Sequence, residues 1–370
     1  MKQLAIKPEI YAFDTCKQFA EEFKIGKGDL VLSNEYIYNP AFGAMGLECD
    51  VLFQEKYGVG EPSDQMVEAI YADMKGDYKR IIAIGGGTII DICKVLALKN
   101  PCPVVNLYDN KDAIEKGKEL VIVPTTCGTG SEVTNVAVFA LLSRNTKMGL
   151  AVDQMYANSA VLIPELLMGL PMKVFATSSI DALVHAMESV LSPKASDYTK
   201  IFGYKAIELI LNGYKVIAKE GADARKPLLK DFLIASNYAG ISFGNAGCAA
   251  VHAMAYPLGG VYHIPHGESN YCCLLGVFNK YMEKNPDGAI AELNKFMADI
   301  LGCEVANVYA ALEELLNTIL QCKKLSEYGM KENEIEEFAD SVVANQQRLL
   351  GNNYVALSRD DIRDIYASLY

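Results

Sequence analysis

The stretch "RIIAIGGGTIIDICKVLAL" (residues 80–98) decides the fold. An apolar, β-branched run typical of a buried strand leads into three glycines, and a helical pattern follows them. Glycines at a strand end let the backbone approach an anion closely, and the next helix offers unpaired N–H groups and a partial positive charge. This geometry suits a pyrophosphate, although a tight turn would need the same glycines.

Other short β-rich runs surround this stretch and indicate a mostly parallel sheet with helices on both faces. A second loop, "VPTTCGTGSEVTN" (123–135), again puts glycines and hydroxyls at the strand end where open α/β sheets bind ligands. Neither a GxGxxG fingerprint nor a P-loop occurs in the sequence. We predict strands at 29–34, 49–54, 80–87, 103–108 and 119–126, a helix capped by Ser63 or Asp64, and a hairpin over 133–152.

The chain changes character near residues 165–172, where two prolines and a glycine interrupt it. Beyond this point every patterned stretch reads as a helix, including one continuous helix over 332–350. We therefore predict a Rossmann-like α/β dinucleotide-binding domain over 1–168 and an all-α metal-binding domain over 169–370. Such a pair suggests a site in the cleft between the domains.

Composition narrows the class of protein. Of the 370 residues, 51% are hydrophobic and 22% charged, and the net charge of −12 argues against a nucleic-acid partner. No apolar run approaches the length of a membrane span, and the first residues lack the pattern of a signal peptide. The ten cysteines form no CxxC pair, so we expect reduced thiols and a cytoplasmic location.

All four histidines fall in two short segments, "SSIDALVHAMESV" (178–190) and "AVHAMAYPLGGVYHIPHGESN" (250–270). Asp181 and His185 are four residues apart and share one helical face, where an unpaired aspartate would be costly. We predict that a divalent cation, bound by this pair and two more histidines, removes that cost. His252 lies on a helix that "YPLGG" should end, and His266 follows Pro265 in a loop able to fold back. One carboxylate and three imidazoles suit Fe²⁺ or Zn²⁺ and leave a position open for a substrate oxygen.

Four motifs in order resemble the iron-containing (group III) alcohol dehydrogenase family: "GGGTIID", "PTTCGTGSEVT", "SSIDALVHAMES" and "NAGCAAVHAMAYPLGGVYHIPHGESN". The resemblance spans nearly the whole chain. Within the family, stretches such as "FQEKYGVGEPSD" and "SNYAGISFGNAG" look most like the 4-hydroxybutyrate dehydrogenase branch, whose substrate pair is 4-hydroxybutyrate and succinic semialdehyde. The resemblance implies a small-molecule substrate, NAD(H), Fe²⁺ or Zn²⁺, and a homodimer.

The resemblance also implies roles for individual residues. The metal ligands would be Asp181, His185, His252 and His266. The cofactor would contact Gly86, Gly87, Thr88, Asp91, Thr125, Thr126, Thr134 and Lys147.

Two positions depart from the family pattern. Asn34 stands where many members carry the aspartate that holds the ribose and rejects a 2′-phosphate. Asparagine can still hydrogen-bond to the ribose hydroxyls but repels a phosphate less than aspartate does, so we expect a weaker preference for NAD over NADP than in those members. Tyr256 stands where many carry a histidine of the proton relay, which leaves Tyr256 and His263 as candidates. A cation must also meet the substrate carboxylate, and His263, Lys147 and Arg348 are the candidates.

The sequence also allows three other functions. A general iron-dependent dehydrogenase would act on uncharged primary alcohols or diols. A lyase similar to dehydroquinate synthase would share the fold, the metal and NAD but regenerate its cofactor in each turnover. A metal-dependent hydrolase without a dinucleotide is opposed by the two glycine-rich strand ends.

Overall fold

A computed structural model describes residues 2–144 and 146–370 of the chain. It divides into two compact units, Ile6–Leu170 and Pro171–Tyr370, and the segment that ends at Ala5 belongs with the second unit. There Ala5 and Asn245 exchange two hydrogen bonds, of 2.7 and 3.0 Å. No pattern in the sequence indicated that the N-terminal segment would leave the α/β unit.

The α/β unit is built on a parallel sheet of six strands. Its strands are β1 (Glu9–Ala12), β2 (Asp29–Ser33), β3 (Asp50–Phe53), β4 (Arg80–Gly85), β5 (Glu119–Pro124) and β8 (Ser159–Leu162), in the order β1-β8-β5-β4-β2-β3. The antiparallel hairpin of β6 (Val136–Leu141) and β7 (Thr146–Ala151) was expected from the sequence, and Asn145 within its turn lies outside the described residues.

Alternate residues of β4 pack into different cores. Ile81 and Ala83 belong to one buried cluster, whereas Ile82 and Ile84 belong to the other, as the two-residue period of a strand requires. Both faces are therefore covered, by the helices α1 (Cys16–Glu22), α2 (Glu35–Phe42), α3 (Asp64–Asp73), α4 (Gly87–Leu96) and α5 (Val104–Asp109). Of the two cap candidates for α3, Ser63 is the N-cap, and its hydroxyl accepts a hydrogen bond from Met66 N.

One predicted strand is wrong, because residues 103–108 form most of α5. A short apolar run fits a strand and a buried helical turn equally well, and here Pro103 begins a helix that buries Val104, Leu107 and Tyr108. The sequence patterns also missed β1 and β8, which pair with each other in parallel.

The second unit is all helical. Its helices are α6 (Met172–Leu191), α7 (Asp197–Glu220), α8 (Leu229–Ala246), α9 (Ala250–Tyr262), α10 (His266–Lys284), α11 (Ala289–Leu301), α12 (Val308–Ile319), α13 (Glu334–Asn345), α14 (Gln347–Leu350) and α15 (Arg359–Leu369). The expected fold class, an α/β unit followed by an all-helical unit, is confirmed. Among the described residues, none of these helices has the length and apolarity that a bilayer-spanning segment needs.

Three expectations about the helices are wrong. "YPLGG" does not end α9, which continues through Pro257 to Tyr262 because Leu258 is buried there, and His263 closes it in the left-handed conformation at φ 54°. His266 is the first residue of α10 rather than part of a loop. The helix predicted over 332–350 is interrupted at Gln346, which separates α13 from α14.

Candidate metal centre and cofactor loops

Four side chains of the helical unit converge on one point. Asp181, His185, His252 and His266 each contribute a possible ligand atom, and these atoms all lie within 4.8 Å of one another. Two of the side chains come from α6, one from the first turn of α9 and one from the first residue of α10. The structure therefore brings together the four residues that the sequence singled out.

Helix α6 can carry a polar pair into the interior because almost every residue from Phe175 to Leu191 is buried. Spacing of four residues directs Asp181 and His185 to the same face. His185 is also fixed by rings on either side, since its centroid lies 4.1 Å from Phe243 and 4.5 Å from His252 in stacked arrangements.

Gly267 lets α10 begin against α6. A Cβ atom at this position would lie 1.9 Å from the carbonyl oxygen of Thr177 and 3.1 Å from Cβ of Asp181. Only glycine tolerates that approach, and it brings the adjacent His266 to within 3.7 Å of the Asp181 carboxylate. The "HG" pair in the sequence thus has a steric basis.

The spacing of the four side chains fits a divalent cation. Oxygens of Asp181 lie 3.7–3.9 Å from nitrogens of His185, His252 and His266, too far for direct hydrogen bonds. Within the described residues, the buried Nε2 of His252 has no hydrogen-bond partner, although burial normally demands one. A set of one carboxylate and three imidazoles suits Fe²⁺ or Zn²⁺.

The electrostatics of the cluster favour an ionised carboxylate. Burial alone would raise the pKa of Asp181, but the neighbouring imidazoles of His185, His266 and His252 hold that pKa well below its usual range. Burial alone would lower the pKa of His252, but Glu188 and Asp181 together raise it to about 9. Asp181 is therefore ionised at neutral pH, as a carboxylate that binds a cation must be.

Asn270 is a site residue that the sequence patterns missed. Its fully buried amide Nδ2 donates a 2.7 Å hydrogen bond to Asp181 Oδ1 and lies 3.3 Å from Nε2 of His266. It follows His266 by four residues, so the helical spacing that linked Asp181 to His185 could have found it.

The two relay candidates lie in different surroundings. The ring of Tyr256, one turn after His252 on α9, has its centroid 6.2 Å from that of His266. His263 is exposed at the C-terminal end of α9, the end opposite His252. Tyr256 is thus the candidate that adjoins a predicted ligand.

The glycine-rich stretch forms the strand–turn–helix that its sequence predicted. β4 ends at Gly85, Gly86 is the N-cap of α4, and Gly87 begins that helix. Thr125 N donates to the carbonyl oxygen of Gly85 at 3.1 Å, so the two predicted cofactor loops leave neighbouring strands side by side. The hydroxyl of Thr88 donates to the carbonyl oxygen of Gly60 at 3.1 Å.

A buried lysine that no sequence pattern identified holds the second loop in place. Lys94 Nζ donates to Ser131 Oγ at 2.7 Å and to Thr134 Oγ1 at 3.0 Å. Asp91 accepts hydrogen bonds from Ser131 Oγ and Val138 N, both at 2.9 Å. Asp91 and Thr134 are therefore part of the scaffold of this loop, and their contact with a cofactor stays a prediction.

Lys147 is also engaged within the α/β unit. Its Nζ lies 2.6 Å from Glu61 Oε1, in an ion pair that leaves the lysine about one-quarter exposed. A lysine already paired with a carboxylate is a poor receptor for a second one, which weakens Lys147 as the cation for a substrate carboxylate.

Asn34 has an acidic neighbour. It follows β2, and its Nδ2 donates to Glu55 Oε2 at 2.9 Å, while the other carboxylate oxygen of Glu55 accepts from Glu35 N at 2.7 Å. Partial burial would raise the pKa of Glu55, but these donors lower it, so the carboxylate stays charged. A negative charge is thus present beside Asn34 even though that residue is neutral.

Family comparisons agree with this arrangement. A model of the iron-containing alcohol dehydrogenases matches residues 12–164, and a model of the C-terminal part of the Fe-containing alcohol dehydrogenase family matches residues 175–370. The chain belongs to the iron-containing alcohol dehydrogenase family, which confirms the resemblance drawn from its motifs.

Individual relatives refine the comparison. The chain is 54% identical over 372 residues to the 4-hydroxybutyrate dehydrogenase of Clostridium kluyveri, with 100% of both chains covered. It is 33% identical to long-chain-alcohol dehydrogenase 1 of Geobacillus thermodenitrificans, over 90% of this chain and 88% of the relative.

Solved structures share the fold. Sulfoacetaldehyde reductase from Bifidobacterium kashiwanohense, solved in complex with NAD⁺, superposes with a TM-score of 0.85 at 22% identity and covers 100% of this chain and 99% of its own. A 1,3-propanediol oxidoreductase superposes with a TM-score of 0.84, also at 22% identity, with both chains covered in full. At such identities the likeness concerns the fold.

Proposed function

We propose that this protein is an NAD-linked, Fe²⁺-dependent dehydrogenase that interconverts 4-hydroxybutyrate and succinic semialdehyde. The observation that carries the proposal is the buried convergence of Asp181, His185, His252 and His266 in a chain 54% identical, over its full length, to a 4-hydroxybutyrate dehydrogenase. The glycine-rich ends of β4 and β5 provide the backbone N–H groups that a dinucleotide needs.

The four side chains would hold the divalent ion, which supplies Lewis acidity toward an alcohol or carbonyl oxygen. Asn270 fixes the orientation of the Asp181 carboxylate through its 2.7 Å hydrogen bond. Tyr256, beside His266, is the group that we assign to move the alcohol proton, because its hydroxyl can both donate and accept.

The oligomeric state and the cellular location are proposed from the family and from the cysteines. We expect a homodimer, as the resemblance to the family implies. None of the ten cysteines, all of which lie among the described residues, is in a disulfide bond, which suits a reducing cytoplasm.

A substrate panel tests the proposed function. Protein loaded anaerobically with Fe²⁺ should reduce NAD⁺ with 4-hydroxybutyrate at a kcat/KM about tenfold to a hundredfold above that for 1-butanol, because hydrogen bonds to a charged group contribute ~1.5–3 kcal/mol. The measurement is NADH absorbance over many turnovers. Equal or better use of 1-butanol would instead indicate a general alcohol dehydrogenase, and an enzyme that regenerates its cofactor would accumulate no NADH.

Cofactor preference should depend on Glu55. Glu55→Gln removes the negative charge beside Asn34, so we expect the NAD/NADP ratio of kcat/KM to fall about tenfold through weaker repulsion of the 2′-phosphate. This variant is more informative than Asn34→Asp, which would put a second carboxylate next to Glu55. Glu48→Gln is the control, because Glu48 is an exposed carboxylate of the same unit that pairs with Lys27. An unchanged NAD/NADP ratio of kcat/KM in folded Glu55→Gln would show that the ribose does not bind beside Asn34 and Glu55.

A further inference from the structure

Glu188 is a buried carboxylate that the proposed metal chemistry does not by itself require. It is 1% exposed, and among the described residues no lysine or arginine pairs with it. Instead it accepts hydrogen bonds from Ala249 N at 3.0 Å and Val251 N at 2.6 Å, and it lies 2.6 Å from Nδ1 of His252. An ionised carboxylate can only accept, so Nδ1 of His252 must be the donor in this contact.

We infer that Glu188 is a positioning residue that fixes the tautomer and the ring orientation of His252 for metal binding. The inference rests on the proposed metal site. Because Nδ1 donates to Glu188, the ring directs its other nitrogen, Nε2, toward Asp181, and that atom lies 3.7 Å from Asp181 Oδ1. Nε2 and this carboxylate need a positive charge between them, which a metal ion would supply in place of the Nε2 proton, so Glu188 turns toward Asp181 the nitrogen that a metal would bind.

Glu188 also fixes the helix that carries His252. The N-cap residue of α9, Ala249, offers no side-chain hydrogen bond, and the Glu188 carboxylate caps the helix from α6 instead. Glu188 follows His185 by three residues and Asp181 by seven, so one face of α6 supplies two predicted ligands and the carboxylate that orients a third.

The loop before α9 is held from its other side as well. Gly247 has a φ of +83°, and a Cβ atom there would lie 2.4 Å from Nδ2 of Asn352. The same amide nitrogen donates to the carbonyl oxygen of Cys248 at 2.9 Å. His252 therefore enters the cluster on a backbone whose start is fixed by Glu188 on one side and by Asn352 on the other.

The position of Cys248 beside Glu188 raises an alternative, in which Glu188 is itself a metal ligand. Glu188, Cys248 and His252 also place possible ligand atoms within 4.8 Å of one another, which is close enough for Glu188 to be a metal ligand itself. Its contacts favour positioning, because both of its oxygens already accept hydrogen bonds from backbone N–H groups. Binding of Co²⁺ through Cys248 would produce a thiolate-to-cobalt charge-transfer band, which distinguishes the two roles.

The test compares Glu188→Gln with Ser189→Ala. The glutamine keeps the size of the side chain but loses the charge and one of the two acceptor oxygens, so its NH2 group must face a donor, either Val251 N or Nδ1 of His252. The dissociation constant for Fe²⁺ or Co²⁺, measured by chelator competition, should rise about tenfold to a hundredfold in Glu188→Gln. Ser189→Ala removes the neighbouring 2.7 Å contact with Ser242 and should leave metal affinity unchanged while lowering Tm. Wild-type affinity in folded Glu188→Gln would overturn the inference, as would a charge-transfer band from the wild-type Co²⁺ protein.

A measurement on the wild type covers the case in which Glu188→Gln fails to fold. In Zn²⁺-loaded protein with ¹⁵N-labelled histidine, NMR should show a proton on Nδ1 of His252 and the metal on Nε2. A metal-bound or unprotonated Nδ1 would refute the positioning role of Glu188 but would leave the proposed function intact. If the wild type binds no divalent ion, the proposed function fails and the inference with it.

Discussion

Replacement of Asp181 by alanine should abolish metal binding and lower kcat/KM for 4-hydroxybutyrate by at least about a thousandfold, because the Lewis acid contributes several kcal/mol to the reaction. Asp181 is the only anionic member of the four-residue cluster, and its oxygens lie 3.7–3.9 Å from all three imidazoles. Without it the site offers three neutral ligands and loses the charge that attracts a dication.

The measurements for Asp181→Ala are metal content after anaerobic loading, steady-state kinetics and circular dichroism. Asp64→Asn is the matched control, because Asp64 is equally buried on a helix of the other unit and accepts a 2.8 Å hydrogen bond from Gln65 N. That control should retain its metal. A folded Asp181→Ala protein with one tightly bound metal per chain and normal turnover would contradict the assignment of the ligands.

Arg348 is the strongest candidate for the cation that receives the substrate carboxylate. It is exposed on α14, and within the described part of the chain no carboxylate lies at salt-bridge distance from it, whereas Arg359 and Arg363 are paired with aspartates. Asn352 Nδ2 donates to the carbonyl oxygens of both Arg348, at 3.3 Å, and Cys248, at 2.9 Å. Arg348 is therefore adjacent to the loop that leads into His252.

The charge of Arg348 reaches that loop. Burial and the carboxylates of Glu188 and Asp181 hold the pKa of the Cys248 thiol well above its usual value, and Arg348 opposes them by favouring the thiolate. A guanidinium that pairs with no carboxylate among the described residues suits a substrate carboxylate, because it can form two parallel hydrogen bonds with it. We propose that Arg348 selects the acid over uncharged alcohols.

Arg348→Ala should lower kcat/KM for 4-hydroxybutyrate about tenfold to a hundredfold, mainly through KM, and should leave kcat/KM for 1-butanol unchanged. Arg348→Lys should recover part of the loss, because it keeps the charge without the paired donors. Arg363→Ala is the matched control, since Arg363 is a partly exposed arginine of the same unit engaged with Asp364. An equal loss with both substrates would show that Arg348 supports the fold or the metal site rather than binding the carboxylate.

The elements that sequence patterns predicted were those with a strong local signal. The five-residue β2 and the six-residue β4 and β5 are apolar and buried almost throughout, and Ser63 caps α3 as its position indicated. The strands β1 and β8 have four residues each, and β1 is mostly exposed at the edge of the sheet. The four-residue β3 was predicted over 49–54, so length alone does not explain the two missed strands; β1 and β8 are defined by pairing with each other, and β8 also pairs with β5.

In the candidate site, too, the features with a local sequence signal were predicted and those that depend on packing were not. The spacing of Asp181 and His185, together with the scarcity of histidines, was enough to predict the cluster, but the course of the chain around His266 was not. The close approach of α10 to α6 at Gly267, and the passage of α9 through Pro257, depend on packing between helices. Lys94 and Glu55 act through partners far away in sequence, so no local pattern identified them.

The most direct test of the metal site is anomalous diffraction at the iron absorption edge, from crystals loaded anaerobically with Fe²⁺. We predict one strong peak per chain, with Asp181, His185, His252 and His266 all at about 2.0–2.2 Å from it. A peak bound by other residues, or these four side chains turned away from one another with no peak among them, would contradict the account.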